Sequence, residues 1–437
     1  MTIQKHFKKL VRDRMKKTGE SYTSARRQLL KNVSTDPTTR WHFAGSIPAT
    51  TALRVLLAAA GVRNPITKEP FTEAMLFGIA GGIGIGVAAF RYEKEDFSSF
   101  FIAGRHHWFD DLGYLKNALA AFGLKAVVKE TGGAKAADKQ LRDALARGPV
   151  IAWVDMAHLP HRALPAMFSG GGYHVVPIYR IDDDAKCAII GDLTDGPIAI
   201  PLADLATARG RIKKQANRVL SVEGAEPRFD LAKLVRAGLQ ACHKALTAKP
   251  GKGPLAMSTL ESLRRLRDRL ANSKDKESWE KLFPPGANLW RALTWFNLGI
   301  EWYGTGGGLC RPMMADFLAE AGTALGDAKL TALGQRYAQI GADWSALADT
   351  ALPDHVPLLR EAKEQQERYA ELLTSNGAID DKRAVWAKLG ELAAQAKKQF
   401  PLDGAQCAEL RGGLQTRVKD IVTAEESALA EMATLAK

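Results

Sequence analysis

Near residue 229 the grammar of the chain changes. Upstream, helix-like and short β-rich runs alternate. From Phe229 onward, long stretches rich in Ala, Leu, Lys, Glu and Gln follow one another, broken at 249–253, 284–286, 305–308 and 352–353. Those five residue types are strong helix formers, whereas Gly and Pro interrupt helices. Residues 229–437 are therefore expected to form an all-helical domain. No fixed-period repeat accompanies the helices, which argues against a solenoid. A chain of 437 residues also exceeds what one hydrophobic core commonly serves, so a second domain is expected upstream.

Residues 41–228 carry that second pattern. A helix-like run at 50–60 precedes β-rich runs at 126–128, 150–154, 174–179, 187–191 and 219–222. Between two of them, Ile181-Asp182-Asp183-Asp184-Ala185 is a turn signal, so the later strands should pair as antiparallel hairpins. The expectation is an α+β domain with a mainly antiparallel sheet against a helix. Residues 74–90 are uncharged and mostly apolar but short for a bilayer-spanning helix, and glycines at 78, 81, 82, 84 and 86 bend the segment. It is read as buried, and no transmembrane segment is expected. Gly84-x-Gly86-x-x-Ala89 within it lacks the strand-turn-helix surroundings of a dinucleotide site.

The formal charge of +13 is concentrated at one end. Residues 1–40 hold eleven Lys and Arg against Asp13, Glu20 and Asp36. Two short basic helices over 3–17 and 21–32, joined around Gly19 and Ser21, make this stretch a helical hairpin appendage. Its charge suits an anionic partner, although no groove-reading motif or stacking pattern accompanies it, and a solvated tail is the plain alternative. The opening residues MTIQKHFKKL lack the apolar stretch of a secretory signal. Cys187, Cys242, Cys310 and Cys407 are scattered, suggesting neither a zinc knuckle nor a disulfide framework, so a cytoplasmic setting is expected.

Several polar residues are candidates for chemistry. Arg105-His106-His107-Trp108, Asp110-Asp111, Asp155, His158 and His161 are the candidates to join His174 and Asp192 in a polar cleft. Histidine nitrogen and carboxylate oxygen suit a divalent metal, with His106 and His107 as candidate ligands, though no cofactor is firmly implied. Cys310, beside Gly306–Gly308, has a loop-like setting compatible with a reactive thiol or with a structural role.

The segment from His42 to Val222 resembles the amino-terminal domain of the butirosin biosynthesis protein H family. The matching blocks run in order. They are Gly45-Ser46-Ile47-Pro48-Ala49-Thr50-Thr51-Ala52-Leu53, Thr72-Glu73-Ala74-Met75-Leu76-Phe77-Gly78, Gly148-Pro149-Val150, Val154-Asp155-Met156, Tyr173-His174-Val175-Val176 and Gly191-Asp192. Downstream, Gly306-Gly307-Gly308-Leu309-Cys310-Arg311, Phe317-Leu318 and Trp344 look like the uncharacterised helical domain fused behind that family.

The resemblance implies a papain-like acyltransferase fold in which a cysteine at a helix start accepts an acyl group. A helix amino terminus stabilises a thiolate, a histidine takes the proton and an acidic residue orients the histidine. His174 would be the base and Asp192 its orienter. Pro48 stands where the cysteine belongs and Ile47 where the preceding histidine belongs. Ser46, Thr50 and Asp155 would border the cleft, and a hydroxyl of Ser46, Thr50 or Thr51 is the substitute nucleophile to consider. Two functions follow. One is a divergent acyltransferase-family protein that binds or processes an acyl, peptidyl or amine-bearing ligand, with an acyl carrier or peptide as partner. The other is a pseudoenzyme or scaffold that recruits a partner through the basic amino terminus and the helical half.

Overall fold

The computed structural model describes residues 39–92, 94, 96–223, 226–250 and 258–436. Nearly all of the expected basic hairpin, residues 1–38, lies outside the described residues. In chain order come α1 (Pro48–Ala59), α2 (Glu73–Ile79), β1 (Ile83–Tyr92), β2 (Phe97–Arg105), α3 (Asp111–Ala121), β3 (Lys125–Lys129), α4 (Ala134–Leu145), β4 (Val150–Asp155), β5 (Tyr173–Asp182), β6 (Cys187–Ile190), β7 (Ile198–Pro201), α5 (Leu202–Arg211) and β8 (Val219–Glu223). Helices then follow to the end: α6 (Leu231–Thr247), α7 (Leu260–Ala271), α8 (Trp279–Leu282), α9 (Ala287–Asn297), α10 (Arg311–Leu325), α11 (Ala328–Ala351), α12 (Pro357–Thr374), α13 (Ile379–Lys398) and α14 (Gly404–Leu435). The protein is α+β with a helical carboxy-terminal part, as the sequence grammar indicates.

The chain forms two compact units that interleave in sequence. The first contains the chain up to Arg63, Gly123–Pro227 and Glu371–Ala384; the second contains Asn64–Phe122, Arg228–Ala370 and the chain from Val385. The change of grammar near 229 matches one junction. The α2–α3 stretch and the short 371–384 segment each fall in the opposite unit from the one their place in the sequence suggests.

In the first unit a six-stranded sheet runs in the order β3-β8-β4-β5-β6-β7, with every pairing antiparallel. Alternation along the strands separates two faces. Val150, Ala152 and Val154 of β4, Val176 and Ile178 of β5, and Ala188 and Ile190 of β6 pack with Leu141 and Ala144 of α4 and Leu205 and Ala208 of α5. On the other side, Val55 of α1 packs with Tyr179, Cys187 and Ile189. Helix α1 starts with Pro48 in its first turn and Ile47 as the N-cap, without a side-chain cap bond. Proline serves well here because the first helical N–H has no intrahelical acceptor.

The second unit joins the antiparallel β1–β2 ribbon to helices. Neither strand is evident from the sequence, where 74–90 reads as one glycine-bent apolar stretch. Gly81 and Gly82, both with positive φ, make the bend between α2 and β1. Phe100 of β2 packs against Phe296, Trp279 and Phe283, with ring centroids 4.5, 5.6 and 6.1 Å away. Asp230, Asp327 and Asp403 cap α6, α11 and α14, and Gln406 completes a capping box at the last.

The glycine run before α10 has a structural purpose. Gly306, Gly307, Gly308, Leu309 and Cys310 all have positive φ, and a Cβ on Gly308 would lie 2.7 Å from the Gly341 carbonyl oxygen. This backbone delivers Arg311 into the core with no exposed surface. Its Nε donates to Glu425 Oε1 at 2.7 Å, and Nη1 donates to the carbonyls of Leu309 and Gly84 at 2.6 and 3.1 Å. Trp344 Nε1 also donates to Glu425 Oε1, at 3.0 Å. Cys310 is fully buried and its thiol is pushed up to about 12 by burial, the setting of a packed rather than an exposed thiol.

Removing one partner of a buried ion pair strands the other charge, at a cost of about 3–5 kcal/mol. Arg311→Met and Glu425→Leu should each lower the unfolding free energy from urea titration by that scale, and the double variant should recover part of the loss. Additive losses would show that the two side chains act independently.

Candidate functional site

The segment between β4 and β5 brings His161 and Arg162 beside residues from β5 and from just after β6. Asp192, 3% exposed, is the centre. His161 Nε2 donates to Oδ2 at 2.6 Å and Arg162 Nε to the same oxygen at 2.7 Å. Arg162 Nη2 donates to Oδ1 at 2.6 Å, and His174 Nε2 stands 2.7 Å from Oδ1. An ionised carboxylate only accepts, so both histidines present Nε2–H to it. Arg162 Nη2 also lies 2.9 Å from His174 Nε2. One ring nitrogen cannot both donate and accept, so the carboxylate takes that proton. Four donors thus occupy the four acceptor positions of Asp192.

The electrostatics follow from burial. Desolvation opposes ionisation of Asp192, but Arg162, His174 and His161 overcome it and hold the carboxyl well below its usual range. Burial lowers the pKa of His161, against the pull of Asp192. With Nε2–H given to Asp192, His161 Nδ1 is a bare acceptor, and it is buried without a partner. Lys382, in the 371–384 segment and fully buried, donates to the His161 carbonyl at 2.8 Å. Burial, then Arg162, push its ammonium down to about 8.

The structure therefore unites His174, Asp192 and His161. It adds Arg162 and Lys382, which the sequence reading missed. Arg162 adjoins a histidine already singled out, but no sequence signal ties Lys382 to a cluster about two hundred residues away.

The remaining candidates have other surroundings. Asp155 is fully buried, its Oδ1 accepting from Ala157 N at 3.1 Å and Oδ2 from Gly170 N at 2.6 Å, so it staples the loop after β4. A Cβ on Gly172 would lie 2.5 Å from Asp155 Oδ1. His158 bonds Ser169 Oγ at 2.8 Å. Thr50 is buried within α1, and Ser46 is half-buried before it. Strand alternation places His174, paired with Val154, on the face of Val176 and Ile178, whereas Val55 of α1 packs on the Tyr179 face.

His106 and His107 belong to the second unit, their rings edge to face at 4.1 Å. Burial, then His107 and Arg105, push His106 down to about 3. Among the described residues no group of three or more His, Cys, Asp or Glu is arranged to hold a metal ion. The wider set behind the metal expectation is divided between the units, with His106, His107, Asp110 and Asp111 in the second and Asp155, His158, His161, His174 and Asp192 in the first.

No thiol stands in the Asp192 cluster. Cys187 pairs with Asp182, at the far end of β5 from His174, and burial raises it to about 11. Cys242 and Cys310 are buried in the second unit and raised to about 12, and Cys407 is also raised. An oriented imidazole can move a proton, but acyl transfer through a thioester also requires a nearby thiolate.

Buried histidines with lowered pKa make the fold acid-sensitive in a defined window. His42, His106, His107 and His161 are all lowered, chiefly by burial. Below the unfolded value of about 6.5 the unfolded chain binds protons that the native state refuses, so stability falls as pH falls. At pH 5.5, His106 alone should cost on the order of 1 kcal/mol relative to pH 7.5. Urea unfolding at the two pH values checks this; an unchanged midpoint would refute the buried-neutral assignment.

Residues 48–193 match the family described as Butirosin biosynthesis protein H, N-terminal. Residues 202–375 match the family described as Domain of unknown function (DUF4872). No curated protein matches the chain. The first match opens on Pro48, the first residue of α1, and ends just past Asp192, while the second spans α5 to the end of α12. The chain thus carries, in this order, a butirosin biosynthesis protein H-type amino-terminal domain and a DUF4872 domain.

Proposed function

We propose that this protein is an acyltransferase-like family member whose papain-like domain binds an acyl, peptidyl or amine-bearing ligand without a cysteine-acyl intermediate. The observation that carries the reading is the helix start. Proline occupies the position assigned to the nucleophile by the family resemblance, and each of the four cysteines has a raised pKa. The segment leading from β4 into β5 also exposes Met167 (85%) and Tyr173 (52%), apolar surface on which an acyl or peptidyl chain can lie. An acyl carrier or peptide is the proposed donor of that chain, and residues 1–40 supply positive charge for an anionic partner. A reducing, cytoplasmic setting accords with four free cysteines.

A second reading keeps catalysis, favoured by the retained His174–Asp192 contact of 2.7 Å. Here His174 would act as general base for direct transfer from a thioester to an amine. Intact-protein mass spectrometry with short acyl-N-acetylcysteamine thioesters separates the two. The binding reading expects no covalent acyl adduct and no turnover above background in either wild type or His174→Ala. Turnover that disappears in His174→Ala would transfer the assignment to general-base catalysis, and a stable adduct would show that a nucleophile survives. If recruitment dominates, removing residues 1–40 should abolish partner capture while His174→Ala leaves it intact.

A further inference from the structure

Away from the Asp192 cluster, the first unit has a cavity of about 160 Å³ between α4 and α5, lined in part by Gly132, Ala134, Arg209, Lys213 and Asn217. A water molecule's share of liquid volume is about 30 Å³, so the space admits more than one solvent molecule. Arg209 is 3% exposed. Its Nη1 and Nη2 donate to the Ala137 carbonyl at 3.4 and 3.3 Å, and Nη2 also to the Asn217 carbonyl at 3.0 Å. Nε has no partner. Two neutral carbonyls satisfy some donors but do not neutralise the charge, and the one carboxylate that pulls on it, Asp138, is out of ion-pair range and bonded to Arg142, so the buried cation remains costly. Burial pushes Arg209 down to about 10, so it remains charged at neutral pH.

The same wall contains the amino-terminal turn of α4. Its N-cap is Gly133, with no side-chain cap bond and no acidic residue in the first turn. The first N–H groups of a helix lack intrahelical acceptors and attract anions. Lys213 adds a second cation to the lining. Asp138, the carboxylate on the wall, is engaged by Arg142 Nε at 2.8 Å.

We propose that this cavity binds a phosphate group, free or carried as an ester, between the start of α4, Arg209 and Lys213. A tetrahedral dianion accepts from several N–H donors at once and neutralises a buried guanidinium. The site is separate from the reading of His174 and Asp192, and either can fail without the other.

The test uses the full chain with inorganic phosphate and with phenyl phosphate, against chloride at matched ionic strength, by titration calorimetry and thermal unfolding. Saturable binding that raises the unfolding midpoint is expected. A tighter grip on phenyl phosphate assigns the site to an ester-borne group, and a tighter grip on inorganic phosphate assigns it to the free anion. Gly133→Asp places a carboxylate at the cap, where the ideal Cβ meets no neighbour closer than 4.0 Å. It should raise the midpoint only slightly without phosphate, since glycine is itself a fair N-cap, and weaken phosphate binding about threefold or more by setting a like charge where the anion sits. Lys213→Ala should weaken it about threefold, as befits an exposed charge pair. No saturable effect beyond chloride, or binding unaltered in both variants, would overturn the proposal.

Discussion

A carboxylate with almost no exposed surface sits where several separate parts of the first unit meet. Asp192 follows β6, His174 belongs to β5, His161 and Arg162 to the segment after β4, and Lys382 reaches the His161 carbonyl from α13. Burying a lone carboxylate would cost several kcal/mol, so the charge is tolerable only while its donors are in place. The constraint also works in reverse. Arg162 and His161 are held by Asp192, and the 371–384 segment is held both by Lys382 and by the bond from Asp195 N to the Thr374 carbonyl, at 3.1 Å. One ionised side chain therefore fixes loop positions that the sheet ladder leaves undetermined.

That dependence explains how the domain can keep its shape without a cysteine at the start of α1. Pro48 suits a first helical turn, and Val55, farther along the helix, contributes to the core with Tyr179 and Ile189. Nothing in this packing requires a thiol. The histidine and aspartate carry structural weight as well, since removing either leaves buried donors or a buried charge unpaired. The contact between His174 and Asp192 is consequently weak evidence for catalysis.

The sequence made some of this legible. β3, β4, β5, β6 and β8 follow from short β-rich runs, and the Asp-rich turn at 182–184 indicates the β5–β6 hairpin. The β1–β2 ribbon was hidden because Ile83–Ala89 is buried at every position, so it shows no alternation to separate it from a buried helix. The interleaving was hidden for another reason. Helix propensity describes local conformation, and it carries no information about which unit α12 and α13 enter near their junction. At the site, His161, His174 and Asp192 could be nominated by residue type, but Lys382 could not, because a lysine at the start of an amphipathic helix ordinarily faces water.

Comparison of three buried arginines separates structural charge from charge that still requires a partner. Arg162 meets Asp192 through two parallel bonds. Arg311 meets Glu425 while also bonding two carbonyls, with the Trp344 ring 5.4 Å from its guanidinium carbon. In both cases the chain provides its own counter-ion within hydrogen-bond distance. Arg209 is as thoroughly buried yet bonds only carbonyl oxygens, and among the described residues it has no carboxylate in ion-pair range. At Arg162 and Arg311, as at Arg105 beside Asp111, the fold meets the requirement of a buried cation internally. At Arg209 it sets the cation on the wall of a cavity beside an uncapped helix start, where a further negative charge has room to enter.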